Sequence, residues 1–270
     1  MKRMLIYSAL SLLLVFLTLY YQRATGPTYE KEISFELQGQ SFEVELPRSH
    51  EINTPCLVKT GITDTTISGR IYYKRYPTRD NYKAKEFFRN DGELVAKLPN
   101  QLPAGKLKYY MEFSSDGKTR TLLKDNPVII RFKGPVPSNV LITHIFFMFA
   151  SMFLSNLAGI LAFRRDDRYI LFSRLTLLFL FIGGLILGPM VQKYAFGLWW
   201  SGVPFGWDLT DNKLLLSFLV WLTAVVGNIR KRRPYLAVAA TLILIVMYAI
   251  PHSTMGSELD YESGKVVTGD

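Results

Sequence analysis

The sequence predicts a multi-pass α-helical membrane protein of about five spans, with an all-β domain inserted after the first span. Three observations carry this. Long apolar runs fill residues 138–252, and another stands at the N-terminus. Residues 27–134 are polar and charged, and alternate with the period of a strand. The basic residues gather in short clusters beside the apolar runs. A chain of 270 residues that is 49% hydrophobic, yet has a mean hydropathy of only +0.14, averages two solvents' rules.

Five segments approach the roughly 20 residues a helix needs to cross a hydrocarbon core of about 30 Å. They are 4–21, 140–163, 169–191, 214–229 and 235–250, the fourth short enough to lean on Trp199, Trp200 and Trp207 at the interface. Lys2 and Arg3 precede the first as in a signal peptide. The run ends, however, in Leu19, Tyr20, Tyr21, Gln22 and Arg23, without a small-x-small cleavage pattern, so an uncleaved anchor is expected.

The net charge of +10 raises nucleic acid as a partner, and its distribution argues against one. Arg164, Arg165 and Arg168 form one cluster and Arg230, Lys231, Arg232 and Arg233 another. With Lys2 and Arg3 in the cytoplasm, both clusters fall there too, which is the positive-inside pattern. The expected location is the cell membrane, multi-pass, with the N-terminus cytoplasmic and the β domain and tail extracytoplasmic (periplasmic in a Gram-negative cell). The lipid bilayer is the first partner, and nucleic acid is not expected. The domain boundaries read 1–26 for an N-terminal anchor and 27–136 for the β domain. A four-helix membrane domain follows at 137–252, with a Trp-rich outer loop at 192–213, and then an acidic tail at 253–270.

Strand candidates in the β domain are 32–38, 41–46, 56–61, 66–76, 92–98, 106–113 with 119–123, and 128–132. Ile33, Phe35 and Leu37, then Phe42, Val44 and Leu46, place an apolar side chain at every second residue, and Asp116-Gly117 is a hairpin signal. About seven strands in such a length suggest a two-sheet sandwich. The stretch from Leu102 through Pro103, Ala104 and Gly105 to Tyr109 and Tyr110 resembles the strand start of immunoglobulin-like and fibronectin type III domains, in which a tyrosine hydroxyl pins a corner. Tyr109 is the residue that resemblance selects.

Tyr72, Tyr73, Tyr76, Tyr82, Phe87 and Phe88 interleave with Lys74, Arg75, Arg79, Lys83 and Lys85, as a partner surface or as core with a solvated basic rim. His50 reads as a loop residue without a role. Cys56, the single cysteine, excludes an internal disulfide, a Cys-x-x-Cys pair, covalent haem attachment and a thiolate zinc cage. No triad, paired acid or phosphate loop stands out, so the reading is a binder more than an enzyme.

Three features meet on the outer side of the bilayer. His144 lies near the outer end of the second span, His252 follows the fifth, and three of the four tryptophans, Trp199, Trp200 and Trp207, stand in the loop between Gln192 and Lys213. Singly, each has an ordinary explanation: an aromatic belt, a turn with a helix cap at Asp208, Thr210 or Asp211, a structural histidine. Together they suit haem b. Two neutral imidazoles, His144 and His252, can hold its iron; Trp199, Trp200, Trp207 and Asp208 can line it; Lys193 or Lys213 can meet its propionates.

This order of outer histidine, paired spans, Trp-rich loop, paired spans and outer histidine resembles the haem-handling membrane proteins of cytochrome c maturation. Those carry a loop ending in a Trp-x-Trp-Asp-Pro type sequence, flanked by external histidines. Gly197, Trp199, Trp200, Trp207 and Asp208 match its character over residues 140–254. Leu209 stands in place of the proline, Thr210 and Asp211 do not continue the acidic pattern, and a final span is missing. The resemblance implies haem binding or haem relay on the outer face, with an apocytochrome or another membrane or periplasmic assembly protein as partner. The alternative is a membrane-anchored, extracytoplasmic protein-binding or complex-assembly subunit without a cofactor. A transporter or quinone-linked redox subunit is disfavoured, because the spans hold few ionisable residues beyond Arg174.

Overall fold

A computed structural model describes residues 2–37, 39–252 and 256–268. The chain divides into two compact units: a helical one built from Met1–Pro27, Val136–Gly256 and Thr268–Asp270, and a β one built from Thr28–Pro135 and Ser257–Val267.

Among the described residues the helical unit contains five helices. Four are long and apolar enough to cross a membrane: α1 (Lys2–Thr25), α2 (Ser138–Phe163), a continuous helix over Tyr169–Phe196, and α5 (Leu209–Gly227). The fifth, α6 (Pro234–Ala249), is apolar but has only 16 residues. The continuous helix is α3 (Tyr169–Leu180), a π-helical stretch (Phe181–Leu187) and α4 (Gly188–Phe196). The helix α5 starts five residues earlier than the apolar run suggests. The Asp208 carboxylate accepts from the N–H groups of Thr210 and Asp211, and this cap draws the polar residues Thr210–Lys213 into the first turn. With 209–213 in α5 and 192–196 already in α4, the sequence-defined loop contracts to 197–208.

α1 is built into the bundle. Ser11, Val15 and Thr18, spaced four and three apart, form its buried stripe against α2 and α6, and Asn156 Nδ2 on α2 donates to the Ser11 carbonyl at 3.4 Å. The Ser11 and Thr18 hydroxyls donate to carbonyls four residues back, which lets a polar stripe be buried. α2 and α6 meet over Gly159, where an added Cβ would sit 2.5 Å from Thr241 Oγ1. The Thr241 hydroxyl donates in turn to the Ser155 carbonyl at 2.9 Å. At the end with the basic loops, Tyr169 Oη donates to Asn228 Oδ1 at 2.6 Å, tying the start of α3 to the turn before α6.

In the β unit, β1 (Lys31–Leu37) and β2 (Gln40–Leu46) make a hairpin. Its largest sheet takes β3 (Ser49–Glu51), β11 (Val128–Lys133), β9 (Lys106–Ser115), β5 (Ser68–Tyr76) and β6 (Lys83–Glu86) in that order, with β10 (Lys118–Leu122) also on β9. A second sheet holds β4 (Cys56–Lys59), β8 (Glu93–Leu98) and β7 (Phe88–Asn90). Val58, Ala96 and Leu98 from one sheet and Ile71, Leu107, Met111 and Ile130 from the other share one buried core. The Tyr109 hydroxyl, fully enclosed, donates to the Pro47 carbonyl at 2.9 Å. His50 lies in β3, not in a loop: β3 pairs parallel with β11, and the ring shares a hydrogen bond with the Thr54 carbonyl.

Past α6 the chain returns to the β unit, so the segment read as a separate acidic tail carries structure of its own. β12 (Ser257–Leu259) and β13 (Val266–Thr268) form a hairpin held by the Leu259 N–H on the Ala104 carbonyl, Lys106 with Glu258, and Tyr261 Oη on the Lys106 carbonyl at 2.8 Å.

Candidate functional site

His144 sits on α2 two turns from its start, and the π-helical stretch of the neighbouring helix decides its chemistry. A π-turn bonds each N–H to the carbonyl five residues back, and here the Gly188 N–H reaches Gly183 O. The Gly183 carbonyl also receives His144 Nδ1 at 2.8 Å. A carbonyl can only accept, so Nδ1 carries the proton and Nε2 of the neutral ring is left with its lone pair. Gly183 makes this approach feasible, since a Cβ there would lie 2.7 Å from Phe147 Cβ.

His252 follows α6 by three residues. The chain leading to it is held twice: Lys213 Nζ donates to the Ile250 carbonyl at 2.6 Å, and Gln22 Nε2 donates to the Tyr248 carbonyl at 2.7 Å. Though His252 presents surface to solvent, enclosure by the surrounding chain and then the Lys213 ammonium push its imidazole down to about 3, with Asp208 opposing. His252 is therefore neutral at physiological pH and lies within electrostatic range of His144, Lys213 and Asp208.

The Trp-rich loop is a fixed structure. Buried Asp211 accepts from the Ser201 N–H at 2.6 Å and the Gly202 N–H at 3.2 Å, Asn212 Oδ1 accepts from the Val203 N–H at 2.7 Å, and Gln192 donates to the Ser201 hydroxyl. Trp200 Nε1 donates to the Val203 carbonyl at 3.1 Å. Trp199 and Trp207 are 58% and 74% exposed, so the loop presents them outward.

The sequence-selected residues thus divide by what they touch. Asp208 is a helix cap, Lys193 closes the end of α4 by donating to the Gly197 carbonyl at 2.8 Å, and Lys213 is a buried tether on Ile250. His144 is held by the Gly183 carbonyl, and His252 lies within electrostatic range of it. Gln22, Gly183, Asp211 and Gln192 were not singled out by sequence. Their available signals were an amide at the end of an apolar span, a Gly-Gly pair inside another, and polar residues flanking the tryptophans.

No known family model matches this chain, and no curated protein matches it. Among the described residues no group of three or more His, Cys, Asp or Glu side chains is placed to hold a metal ion.

Proposed function

We propose that this chain is an integral membrane protein that binds haem b at the end of its bundle opposite the basic loops, where His144 and His252 would hold the iron. The single observation that carries the reading is the Nδ1 hydrogen bond from His144 to Gly183, which leaves Nε2 as the basic nitrogen and holds the ring still, as metal-binding histidines require. His252, neutral and within electrostatic range, supports a second ligand. Bound haem would supply a redox-active or transferable iron porphyrin.

The chain's own contribution is to fix two imidazoles and present an aromatic rim at Trp199 and Trp207. Propionates would have to be met without releasing Lys213 from Ile250. The positive-inside pattern of the basic loops supports an extracytoplasmic location for this end. The β unit then acts there as an immunoglobulin-like docking module, a reading supported by the Tyr109 to Pro47 bond. The role that fits is haem binding or relay in cytochrome assembly, with an apocytochrome or assembly protein as partner.

A second reading, a cofactor-free assembly subunit, is favoured by the outward Trp199, Phe205 and Trp207, which offer contact area without needing the histidines. The two separate on titration of the purified protein with haemin. The first gives a Soret band that His144→Ala and His252→Ala each weaken at least tenfold in affinity; a titration the two substitutions leave unchanged overturns it.

A further inference from the structure

One face of the largest β sheet carries two cations, Lys74 and Lys108, that no carboxylate among the described residues neutralises. β5 and β9 pair so that Tyr72 stands opposite Tyr110, Lys74 opposite Lys108 and Tyr76 opposite Lys106. Successive side chains of a strand point to opposite faces, and Ile71, Tyr73, Leu107 and Tyr109 lie in the core. Tyr72, Lys74, Tyr76, Lys106, Lys108 and Tyr110 therefore share the other face.

Like charges directly across a strand pair are destabilising, yet Lys74 and Lys108 are set in that relation. Each ammonium rests on a ring: Lys74 Nζ lies 5.3 Å from the Tyr82 centroid and Lys108 Nζ 4.3 Å from that of Tyr76. Tyr72 and Tyr110 stack at 4.7 Å, with Tyr82 edge-on to Tyr110 at 5.0 Å, so the aromatic floor beneath the cations is rigid. Among the described residues no carboxylate lies within ion-pairing distance of Lys74 or Lys108.

One end of the row already meets an acidic residue of β12 and, beside the row, an aromatic residue of the turn that follows β12. Lys106 is paired with Glu258 of the C-terminal hairpin, and Tyr261 receives the Arg75 guanidinium at 5.1 Å from its ring centroid. The occupied end and the open end are continuous, since Lys106 and Lys108 are two residues apart on β9, about 7 Å along a strand. An extended segment with a carboxylate at every second residue has the matching repeat.

We propose that Lys74 and Lys108, with Tyr72, Tyr76, Tyr82 and Tyr110, form a docking surface for an extended acidic segment of a partner protein. That segment seats beside Glu258 and continues the interface the hairpin begins. This gives the protein-binding part of the reading above a surface, and it does not rest on haem.

The test uses the full chain in detergent micelles and a fluorescent synthetic peptide of alternating Glu and Tyr, read by anisotropy. Saturable binding that weakens with salt is expected, at least tenfold weaker in Lys74→Glu/Lys108→Glu and in the milder Lys74→Gln/Lys108→Gln. Lys118→Glu/Arg120→Glu, which reverses two exposed charges on β10 instead, should stay within twofold of the parent chain. Equal losses in the two charge-reversed variants would overturn the proposal, as would no saturable binding at low ionic strength. Displacement of the peptide by anionic lipid vesicles as readily as by unlabelled peptide would also overturn it. The haem titration is expected to be unaffected by these substitutions, so failure here and failure of the haem reading are separately visible.

Discussion

Cys56 is fully enclosed on β4, opposite Leu98 of β8, and burial pushes its thiol up to about 12. The thiolate is the reactive form, so a raised pKa and a closed environment act in the same direction. Maleimide labelling of the folded protein at pH 8 is expected to run roughly a hundredfold or more below the rate of a free thiol. It should go to completion once the protein is denatured, and rapid labelling of the folded chain would mean that the β4–β8 contact is open. The same scale governs His252. Lys213 and Gln22 hold the carbonyls just before it, so Lys213→Met together with Gln22→Leu should raise carbethoxylation of His252 by diethyl pyrocarbonate severalfold. Lys213→Arg, which keeps a donor, should restore most of the protection. An unchanged rate in the double variant would show that these bonds do not position the ring.

At the scale of elements, α2 and α6 approach closely because position 159 has no side chain. Gly159→Leu puts atoms where Thr241 stands and displaces the Thr241 bond to Ser155, an overpacking defect of about 1–3 kcal/mol. The expected outcome is a thermal midpoint in detergent lowered by several degrees, with Gly159→Ser less affected than Gly159→Leu; no change in either would place the helices further apart. The elements that sequence revealed share a strong local period. The long apolar runs became helices, and the alternating pairs Ile33/Phe35/Leu37 and Phe42/Val44/Leu46 became β1 and β2. Asp116-Gly117 became the turn between β9 and β10, with φ of 48° and 75°.

The elements it hid lack such a signal. β6 reads Lys-Ala-Lys-Glu and is exposed throughout, so no apolar alternation marks it. β7 has only three residues, though Asp91-Gly92 after it, with φ of 51° and 85°, is the same turn chemistry and could have exposed the hairpin. The π-helical stretch is invisible to a search for apolar length. The early start of α5 follows from Asp208, which sequence had placed beside haem but which first serves as a cap.

At the scale of the whole molecule, the chain leaves the helical unit at Pro27, returns at Val136, and comes back to the β unit at Ser257. The last return explains why the tail was read as separate: its partners, Ala104, Lys106 and Arg131, are more than 120 residues away in sequence. The gathering of histidines at one end of the bundle was legible, because basic loops and span count alternate the ends. The division of labour within that group was not, since a side chain's partner depends on helix neighbours that topology leaves open. What the helical unit concentrates at that end is a neutral His252 beside a His144 whose Nδ1 is already committed. The most direct test of the central proposal is electron paramagnetic resonance of the ferric haem complex at low temperature. A low-spin spectrum with two imidazole ligands, converted to high spin by His144→Ala and by His252→Ala separately, is the predicted result. A high-spin complex in the unaltered protein, or one that both substitutions leave unchanged, would contradict it.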